Sequence, residues 1–432
     1  MTLRRVLLVS PHFPPVNAAD MHRIRLLLPH FREFGWEAEV LAVRPHRVEA
    51  PWDPRLQDTL PADVPVHLVN ALPTRWTRKV GLGNLGFRAL PFLFLRGCWL
   101  LMRRRFDLVY FSTTMFPVFM LGRLWRRLFK VPFVFDMQDP WYNTYYEDHP
   151  QARPRKYRFM NRMNRIMEPW AMRGVSALIA VSDAYPRTLR ERYPWLRNVP
   201  AHTLEFGASF GDFAHLPPRP AGANPQEVLC GRYVGRGGPD MRRAAHLLFS
   251  ALALGRQRHP ALFSRVQLEF IGTDYAPSGQ GKQTLRPVAQ ELGVADQVQE
   301  SPDRVPYFDA LALLHSADFL IMLGSDDPGY SGSKLYPYLL ARRPLLVLCH
   351  AAGSWVGILQ QTGGARWVTF DAATDSGAKV AQVSQAWEQL LEDLPGGPEL
   401  DEAGFAPLTA RDLCRRHCEI FTAVVEDGNS GF

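Results

Sequence analysis

A turn-forming loop between an apolar run and a helical segment holds the first residues that could do chemistry. The run Phe319–Leu323 ends at Gly324, and Ser-Asp-Asp-Pro-Gly follows, a composition typical of a turn. We predict a helix that begins just after the turn and ends near Ala341. Its free N–H groups and its macrodipole would attract a diphosphate, although an ordinary junction of loop and helix is the alternative. The anion-binding residues predicted here are Tyr330, Ser331, Gly332, Ser333 and Lys334.

A second glycine-rich loop follows the apolar run Val228–Val234. It places Arg236 among three glycines, of which Gly235 and Gly237 are predicted to line the site. Glycine lets a phosphate approach the backbone closely, and a guanidinium fork binds phosphate oxygens in pairs. A glycine-rich turn with a solvated arginine is the alternative. Gly272, at the end of the next apolar run, would then border the base of a nucleotide.

Both loops stand at the ends of apolar runs that alternate with helical patterns. Short apolar runs suit parallel strands buried on both faces, and the alternation predicts doubly wound α/β sheets. Ligands gather at the carboxyl ends of such strands. The predicted strands are Val6–Ser10, Ala38–Val43, Leu108–Ser112, Phe133–Asp136, Ala177–Val181, Val228–Val234, Val266–Ile271, Phe319–Leu323 and Leu345–Leu348. The predicted helices are His22–Phe34, Ala184–Tyr193 and Ala406–Val425.

A proline-rich stretch interrupts this alternation between Phe210 and Pro225, with a composition typical of a linker. A chain of 432 residues also exceeds the size at which one core stops growing, so two domains are expected. We predict a first Rossmann-like domain over 1–210, a linker over 211–225 and a second Rossmann-like domain over 226–398. Residues 399–432 form a C-terminal helix and tail that could pack back on the first domain.

Composition narrows the classes of partner. The net charge is +8, which favours anionic partners such as nucleotide phosphates or anionic lipids. Zinc-finger spacings and RNP-like motifs do not occur, so nucleic acid is the weakest candidate. Five scattered cysteines indicate a reducing compartment and no metal site. The first ten residues hold only four consecutive apolar ones, and no stretch of about 18 uncharged apolar residues follows, so a cytoplasmic location is expected.

Six segments in order carry a resemblance to a known family. They read VLLVSPHFPPVNAADMHRIRLL, DLVYFS, VPFVFDMQDPW, ALIAVSDAY, LEFIG and GSDDPGYSGSKLYPYLLARRPLL. Together they resemble the GT4 family of retaining glycosyltransferases, which have the GT-B fold. The resemblance implies two Rossmann-like domains that face a central cleft, with a nucleotide-sugar donor on the second domain. It also implies transfer to a saccharide or lipid-linked acceptor, with cell-envelope polysaccharide as the usual context, and no metal.

The sequence departs from the family at the donor's nucleoside. Relatives carry a Glu after SKLY that binds the ribose hydroxyls, and Pro337 stands there instead. Gly329 occupies the place of an earlier family Glu, so Asp326 or Asp327 is expected to substitute. A family Lys that follows the counterpart of Arg236 also has no equivalent, and Arg242 or Arg243 is a candidate replacement. Pro337 would be tolerated if it lay in the first turn of its helix.

The resemblance places three catalytic candidates on the first domain. Arg23 would meet the diphosphate or an acidic acceptor. His22 is either a base or a packing residue. Asp139 either orients the acceptor hydroxyl, stabilises the oxocarbenium ion or caps a turn. Asn17, Ala18 and Ala19 replace the family's glycines, and Ser112, Thr113 and Thr114 stand where relatives often carry a His.

Basic and aromatic residues dominate one part of the first domain. No acidic residue lies between Val64 and Phe106, whereas eight Lys and Arg residues occur among aromatic and aliphatic ones. This pattern suits an anionic membrane surface, and core helices with a solvated basic face are the alternative.

The function also stays open among three classes of protein. These are a transferase, a hydrolase or epimerase of the same fold, and a pseudoenzyme that binds a nucleotide sugar. Pro337 and Ala18 would favour the pseudoenzyme.

Overall fold

The computed structural model describes residues 3–79, 81–142, 157–214, 216–217, 228–276, 279–330, 332–373 and 376–429. The chain divides into two compact units. Unit 1 comprises Met1–Gly207 together with Ala410–Phe432, and unit 2 comprises Ala208–Thr409. The C-terminal helix therefore belongs to the same unit as the N-terminal sheet.

Unit 1 is built on a seven-stranded parallel sheet in the order β3-β2-β1-β4-β5-β6-β7. Its strands are β1 (Arg4–Val9), β2 (Trp36–Val43), β3 (Val66–Val69), β4 (Leu108–Ser112), β5 (Phe133–Met137), β6 (Ala177–Ala180) and β7 (Ala201–Thr203). Its first helices are α1 (Met21–Leu27), α2 (Thr74–Thr77), α3 (Leu85–Arg103), α4 (Met120–Phe129), α5 (Tyr157–Met172) and α6 (Ala184–Arg192). Because β1 lies between β2 and β4, the direction of winding reverses between β1 and β4, and a crevice opens there at the carboxyl ends.

Unit 2 repeats this plan with six parallel strands in the order β10-β9-β8-β11-β12-β13. The strands are β8 (Leu229–Val234), β9 (Val266–Ile271), β10 (Val298–Ser301), β11 (Phe319–Leu323), β12 (Leu345–His350) and β13 (Arg366–Phe370). The helices are α7 (Phe210–Ala214), α8 (Arg242–Arg258), α9 (Pro260–Phe263), α10 (Arg286–Glu291), α11 (Tyr307–Ser316), α12 (Tyr336–Leu340), α13 (Ser354–Thr362), α14 (Ser376–Glu392) and α15 (Glu402–Phe405). The reversal here falls between β8 and β11. Two doubly wound α/β sheets are thus present, and the predicted fold class is confirmed.

The last helix, α16 (Ala410–Asn429), packs on the sheet of unit 1. Cys414, His417 and Cys418 lie on its buried face, and the His417 ring nitrogen Nε2 is 3.2 Å from the hydroxyl of Tyr110 on β4. Burial lowers the pKa of His417 to about 3, so its imidazole is neutral. In the described ranges no group of three or more His, Cys, Asp or Glu side chains is arranged to hold a metal.

Helix α3 is the one described helix whose length and composition would allow it to cross a membrane. Its inner face packs into the core of unit 1 through Leu93 and Leu100, which are fully buried. It also lies directly against α4, because a Cβ built on Gly97 would fall 2.1 Å from the Trp125 ring. Its outer face carries Leu95 and Met102, each 66% exposed.

Candidate functional site

The glycine-rich loop of unit 2 is fixed to the end of the neighbouring strand. The Gly235 N–H donates to Ile271 O at 2.9 Å, and the Gly237 N–H donates to Thr273 O at 2.7 Å. The hydroxyl of Tyr233 donates to the carbonyl of Arg236 at 2.8 Å. A Cβ on Gly237 would lie 2.7 Å from the side-chain oxygen of Thr284. The loop therefore holds Arg236 in one place, and Gly237 cannot be replaced without a shift.

Arg236 and Lys334 lie on the ring of the same tyrosine, Tyr330. The Arg236 guanidinium is 5.1 Å and the Lys334 ammonium 4.4 Å from the ring centroid. The Lys334 Nζ also donates to the Tyr330 hydroxyl at 2.9 Å. Two segments almost 100 residues apart in sequence thus bring two cations to the crevice between β8 and β11, where the sequence predicts a diphosphate. We call these three residues the anion site.

Lys334, one of the two cations of the anion site, is perturbed by its surroundings. The pKa of Lys334 is lowered to about 8, mainly by desolvation and secondly by repulsion from Arg236. Desolvation raises the pKa of Tyr330 to about 12, so its phenol stays protonated at neutral pH. An anion bound beside Arg236 and Lys334 would relieve this repulsion.

Asp240 joins the two loops of the anion site. Its carboxylate accepts a hydrogen bond of 2.9 Å from Arg236 and another from the hydroxyl of Ser325. Its main-chain carbonyl accepts from the Asp326 N–H at 2.7 Å. Burial opposes ionisation of Asp240, but the bonds from Arg236 and Ser325 prevail and lower its pKa. The guanidinium of Arg236 is therefore held in position before any ligand binds.

The helical segment after the turn begins as a 3₁₀ turn, Gly332–Leu335, and continues as α12. It contains the predicted residues Gly332 and Ser333, whereas Ser331 lies outside the described residues. Pro337 is the second residue of α12. There its missing N–H removes no bond within the helix, which is why the helix tolerates it.

The remaining donor-side predictions fall at the edges of the anion site. Gly272 follows β9 with a φ of 74°, which favours glycine. The exposed Asp327 closes its own turn, since its carboxylate accepts from the Gly329 N–H at 2.8 Å. Neither Asp327 nor Gly272 contacts the three side chains of the anion site through a described hydrogen bond.

The two arginines proposed as replacements for the family Lys point elsewhere. Nη2 of Arg242 donates to both carboxylate oxygens of Glu291 at 2.7 and 2.9 Å, and Arg243 lies 3.3 Å from Asp326. Both line a separate cavity of about 450 Å³ that also contains His246. The second positive charge beside Arg236 therefore comes from Lys334.

Of the catalytic predictions in unit 1, Arg23 is the most deeply enclosed. Its side chain has no exposed surface, and its Nε lies 2.9 Å from the equally buried Asp136 on β5. Its other nitrogens donate to the carbonyls of Leu204 and Glu205. Arg23 therefore ties α1 to the sheet, and its guanidinium does not reach the surface of unit 1.

His22 is engaged through both of its ring nitrogens. Its Nε2 lies 3.4 Å from the side-chain oxygen of Asn17, and its Nδ1 accepts a hydrogen bond from Arg25 at 3.3 Å.

Asp139, the third catalytic prediction, is exposed, and no described residue forms an ion pair or hydrogen bond with its carboxylate. Partial desolvation, followed by repulsion from Asp20, raises the pKa of Asp139.

The structure adds a histidine–aspartate pair that the sequence does not single out. His12 follows β1, and its Nδ1 lies 2.8 and 3.0 Å from the two carboxylate oxygens of Asp20. Thr113 and the N–H of Thr114, both after β4, donate to the same carboxylate at 2.9 and 3.0 Å. The pair thus sits at the crevice between β1 and β4. An HxxxxxxxD spacing in a loop has no recognisable signature, so only the fold reveals it.

Two parallel doubly wound units, each with polar loops at its point of reversal, define the GT-B class of fold. Residues 22–207 match the family model of the glycosyl transferase 4-like domain. The resemblance to GT4-type glycosyltransferases is thereby confirmed for the first unit. None of the curated proteins matches the chain in sequence.

Solved structures of the same fold cover nearly the whole chain. HepE of Anabaena, in complex with UDP, is 16% identical with a TM-score of 0.53, over 99% of this chain and 100% of its own. The N-terminal domain of Candida albicans trehalose-6-phosphate phosphatase is 13% identical with a TM-score of 0.56, over 97% and 96%. A UDP-forming trehalose-phosphate synthase from Burkholderia xenovorans is 13% identical with a TM-score of 0.54, over 99% of each chain.

Proposed function

We propose that the protein is a hexosyltransferase that moves a sugar from a nucleotide-diphosphate sugar to a saccharide or lipid-linked acceptor. The observation that carries this proposal is the anion site, where Arg236 and Lys334 flank Tyr330 at the crevice of unit 2. The glycosyl transferase 4-like domain in unit 1 supports the reaction class. HepE, a protein of the same fold, is solved with UDP, which supports a uridine nucleotide as the first donor to try.

In the proposed reaction the bond between the anomeric carbon and the diphosphate oxygen breaks, and negative charge develops on the departing diphosphate. Arg236 and Lys334 stabilise that charge because they are positioned beforehand by Asp240 and Tyr330. No protein nucleophile and no metal is required if the acceptor attacks from the face that the diphosphate leaves. Retention of configuration, which the family resemblance implies, is part of the proposal.

Isothermal titration calorimetry with UDP, GDP, ADP and CDP and their sugars tests donor binding. We expect one nucleotide series to bind, and Arg236→Ala and Lys334→Ala each to weaken its binding by roughly 10- to 100-fold, since hydrogen bonds to charged groups contribute about 1.5–3 kcal/mol. Lys379→Ala is the matched control, because Lys379 lies on α14 and, among the described residues, donates a hydrogen bond to Gln382 at 3.1 Å. If both site variants bound the nucleotide with unchanged affinity, the assignment of Arg236 and Lys334 to the diphosphate would be wrong.

A pseudoenzyme that binds the donor without turnover is the second candidate. Pro337 and Ala18 favour it, because they replace a carboxylate and a glycine that relatives use. The same calorimetric series followed by assays of sugar release to water and to acceptors separates the two. Binding without any release or transfer would support the pseudoenzyme and contradict the transferase.

We also propose that unit 1 binds the anionic lipids on the inner face of the cytoplasmic membrane. A lipid-linked acceptor would be presented at that surface. Between Val64 and Phe135 the sequence contains twelve Lys and Arg residues and one acid, Asp107. Leu95 and Met102 on α3 and Leu128 on α4 are 66%, 66% and 58% exposed. Apolar side chains among basic ones suit a surface of anionic lipid.

A further inference from the structure

A second cavity of unit 2 lies apart from the anion site. Its volume is about 450 Å³, within the range of about 300–1,000 Å³ that is usual for sites of small organic ligands. The described residues that line it fall between Pro239 and Ser376, so all of them belong to unit 2. Neither cation of the anion site is among them, nor is Tyr330. This cavity, which we call the α8 cavity, is therefore a separate place for a ligand.

The first two turns of α8 give the α8 cavity a positive charge. Arg242, Arg243 and His246 line it, and Asp326 is the one acid among its described lining residues. The Nδ1 of His246 lies 3.4 Å from the hydroxyl of Ser250, and its Nε2 has no hydrogen-bond partner among the described residues. Two guanidinium groups thus stand against one carboxylate, and this balance favours an anionic ligand.

Both arginines of the α8 cavity hold partners that an anion can displace. Arg242 pairs with Glu291 and Arg243 with Asp326, and all four side chains are between 40% and 56% exposed. Exposed pairs contribute little to stability, because water solvates both charges well. Arg243 also donates to the main-chain carbonyl of Asp371 at 3.0 Å, which holds its guanidinium beside the cavity. A phosphate monoester carries a charge of about −1.5 to −2 at pH 7, enough to replace both carboxylates, whereas a ligand carboxylate brings one charge only.

Apolar side chains line another part of the α8 cavity. Leu247 on α8 and Phe370 at the end of β13 belong to the core of unit 2 and also line the cavity, as does Pro239. An apolar surface beside fixed charges suits a ligand that carries an uncharged ring or chain next to its anionic group. Inorganic phosphate alone would leave this apolar surface in contact with water.

We infer that the α8 cavity binds a phosphate monoester with an apolar or ring-shaped body, at a site distinct from that of the nucleotide sugar. Arg242, Arg243 and His246 bind the phosphate oxygens, and the body of the ligand covers Leu247 and Phe370. This site does not depend on the proposed function, because none of these residues belongs to the anion site.

Phenyl phosphate is the probe, and phenol and inorganic phosphate represent its two halves. Ligand-observed NMR measures their binding to the full chain with Arg236→Ala and Lys334→Ala, so that the anion site does not contribute. We expect phenyl phosphate to bind about 10-fold more tightly than inorganic phosphate, since its ring covers apolar surface, and phenol not to bind. In that background Arg243→Ala should weaken binding by roughly 10- to 100-fold, and His246→Gln by roughly 2- to 10-fold. Arg258→Ala, at the exposed end of α8, is the control.

A crystal structure of the wild type with 4-bromophenyl phosphate locates the ligand independently. We expect the phosphate within about 3 Å of the guanidinium of Arg243 and the bromine beside Phe370. No binding of phenyl phosphate by the chain with Arg236→Ala and Lys334→Ala, shown by thermal unfolding to be folded, would overturn the inference. Unchanged binding after Arg243→Ala would overturn it too, as would phenyl phosphate that binds no more tightly than inorganic phosphate.

Discussion

At the scale of single residues, the anion site shows which parts of a binding site a sequence can predict. Arg236 and Lys334 are predictable, because a guanidinium after a strand and a lysine at a helix start suit a phosphate. The bridging role of Asp240 and the shared ring of Tyr330 are not, since they depend on two loops meeting in space. The same holds for His12, whose partner Asp20 lies eight residues away in an irregular loop.

The lowered pKa of Lys334 gives a prediction for pH. Lys334 carries its charge below about pH 8 and loses it above, so the affinity for the nucleoside diphosphate should fall as the pH rises through that value. Lys334→Arg should abolish this decline, because a guanidinium stays protonated across the range. Calorimetry from pH 7 to pH 9.5 measures both proteins. A wild-type affinity that is flat over this range would place Lys334 outside the phosphate contacts.

At the scale of elements, the central strands follow from the sequence and the edge strands do not. The nine predicted strands match observed ones within two residues at either end, since apolar runs buried on both faces are distinctive. The four missed strands, β3, β7, β10 and β13, are the edges of the two sheets. Strands β3 and β10 alternate between exposed and buried residues, a pattern too short to recognise in four residues.

Helix α1 shows a second reason why element predictions fail. The predicted helix His22–Phe34 is α-helical only over Met21–Leu27, and Leu28–Phe34 is a 3₁₀ segment. Pro29 lacks the N–H that an α-helix would use at that position. The family resemblance implies that Arg23 meets the diphosphate or an acidic acceptor. Arg23 instead lies on the buried face of α1, and its Nε is 2.9 Å from the carboxylate of Asp136 on β5.

At the scale of the whole molecule, the two units carry different chemistry on the same plan. Unit 2 presents two cations at its point of reversal, and unit 1 presents a histidine held by a carboxylate at the equivalent point. The sequence predicts two such domains because strand and helix patterns alternate twice around a proline-rich stretch. The sequence does not decide which domain the C-terminal helix packs on, whereas the structure assigns Ala410–Phe432 to unit 1.

The basic and apolar face of unit 1 leads to a prediction for the intact protein. We expect sedimentation with phosphatidylglycerol vesicles at low salt and none with phosphatidylcholine vesicles. Arg103→Glu with Arg127→Glu should lower binding more than roughly 10-fold, since each basic residue near an anionic surface contributes about 1 kcal/mol. Arg258→Glu with Lys379→Glu makes the same charge change on unit 2 and should leave binding nearly intact. Failure of the wild type to sediment with the anionic vesicles would contradict the membrane proposal.

The central claim is that a nucleoside diphosphate binds where Arg236 and Lys334 meet. A crystal structure of the protein with the nucleoside diphosphate that calorimetry selects measures this directly. The account predicts diphosphate oxygens within about 3 Å of the guanidinium of Arg236 and of the ammonium of Lys334. A diphosphate bound instead in the cavity lined by Arg242 and Arg243 would contradict it.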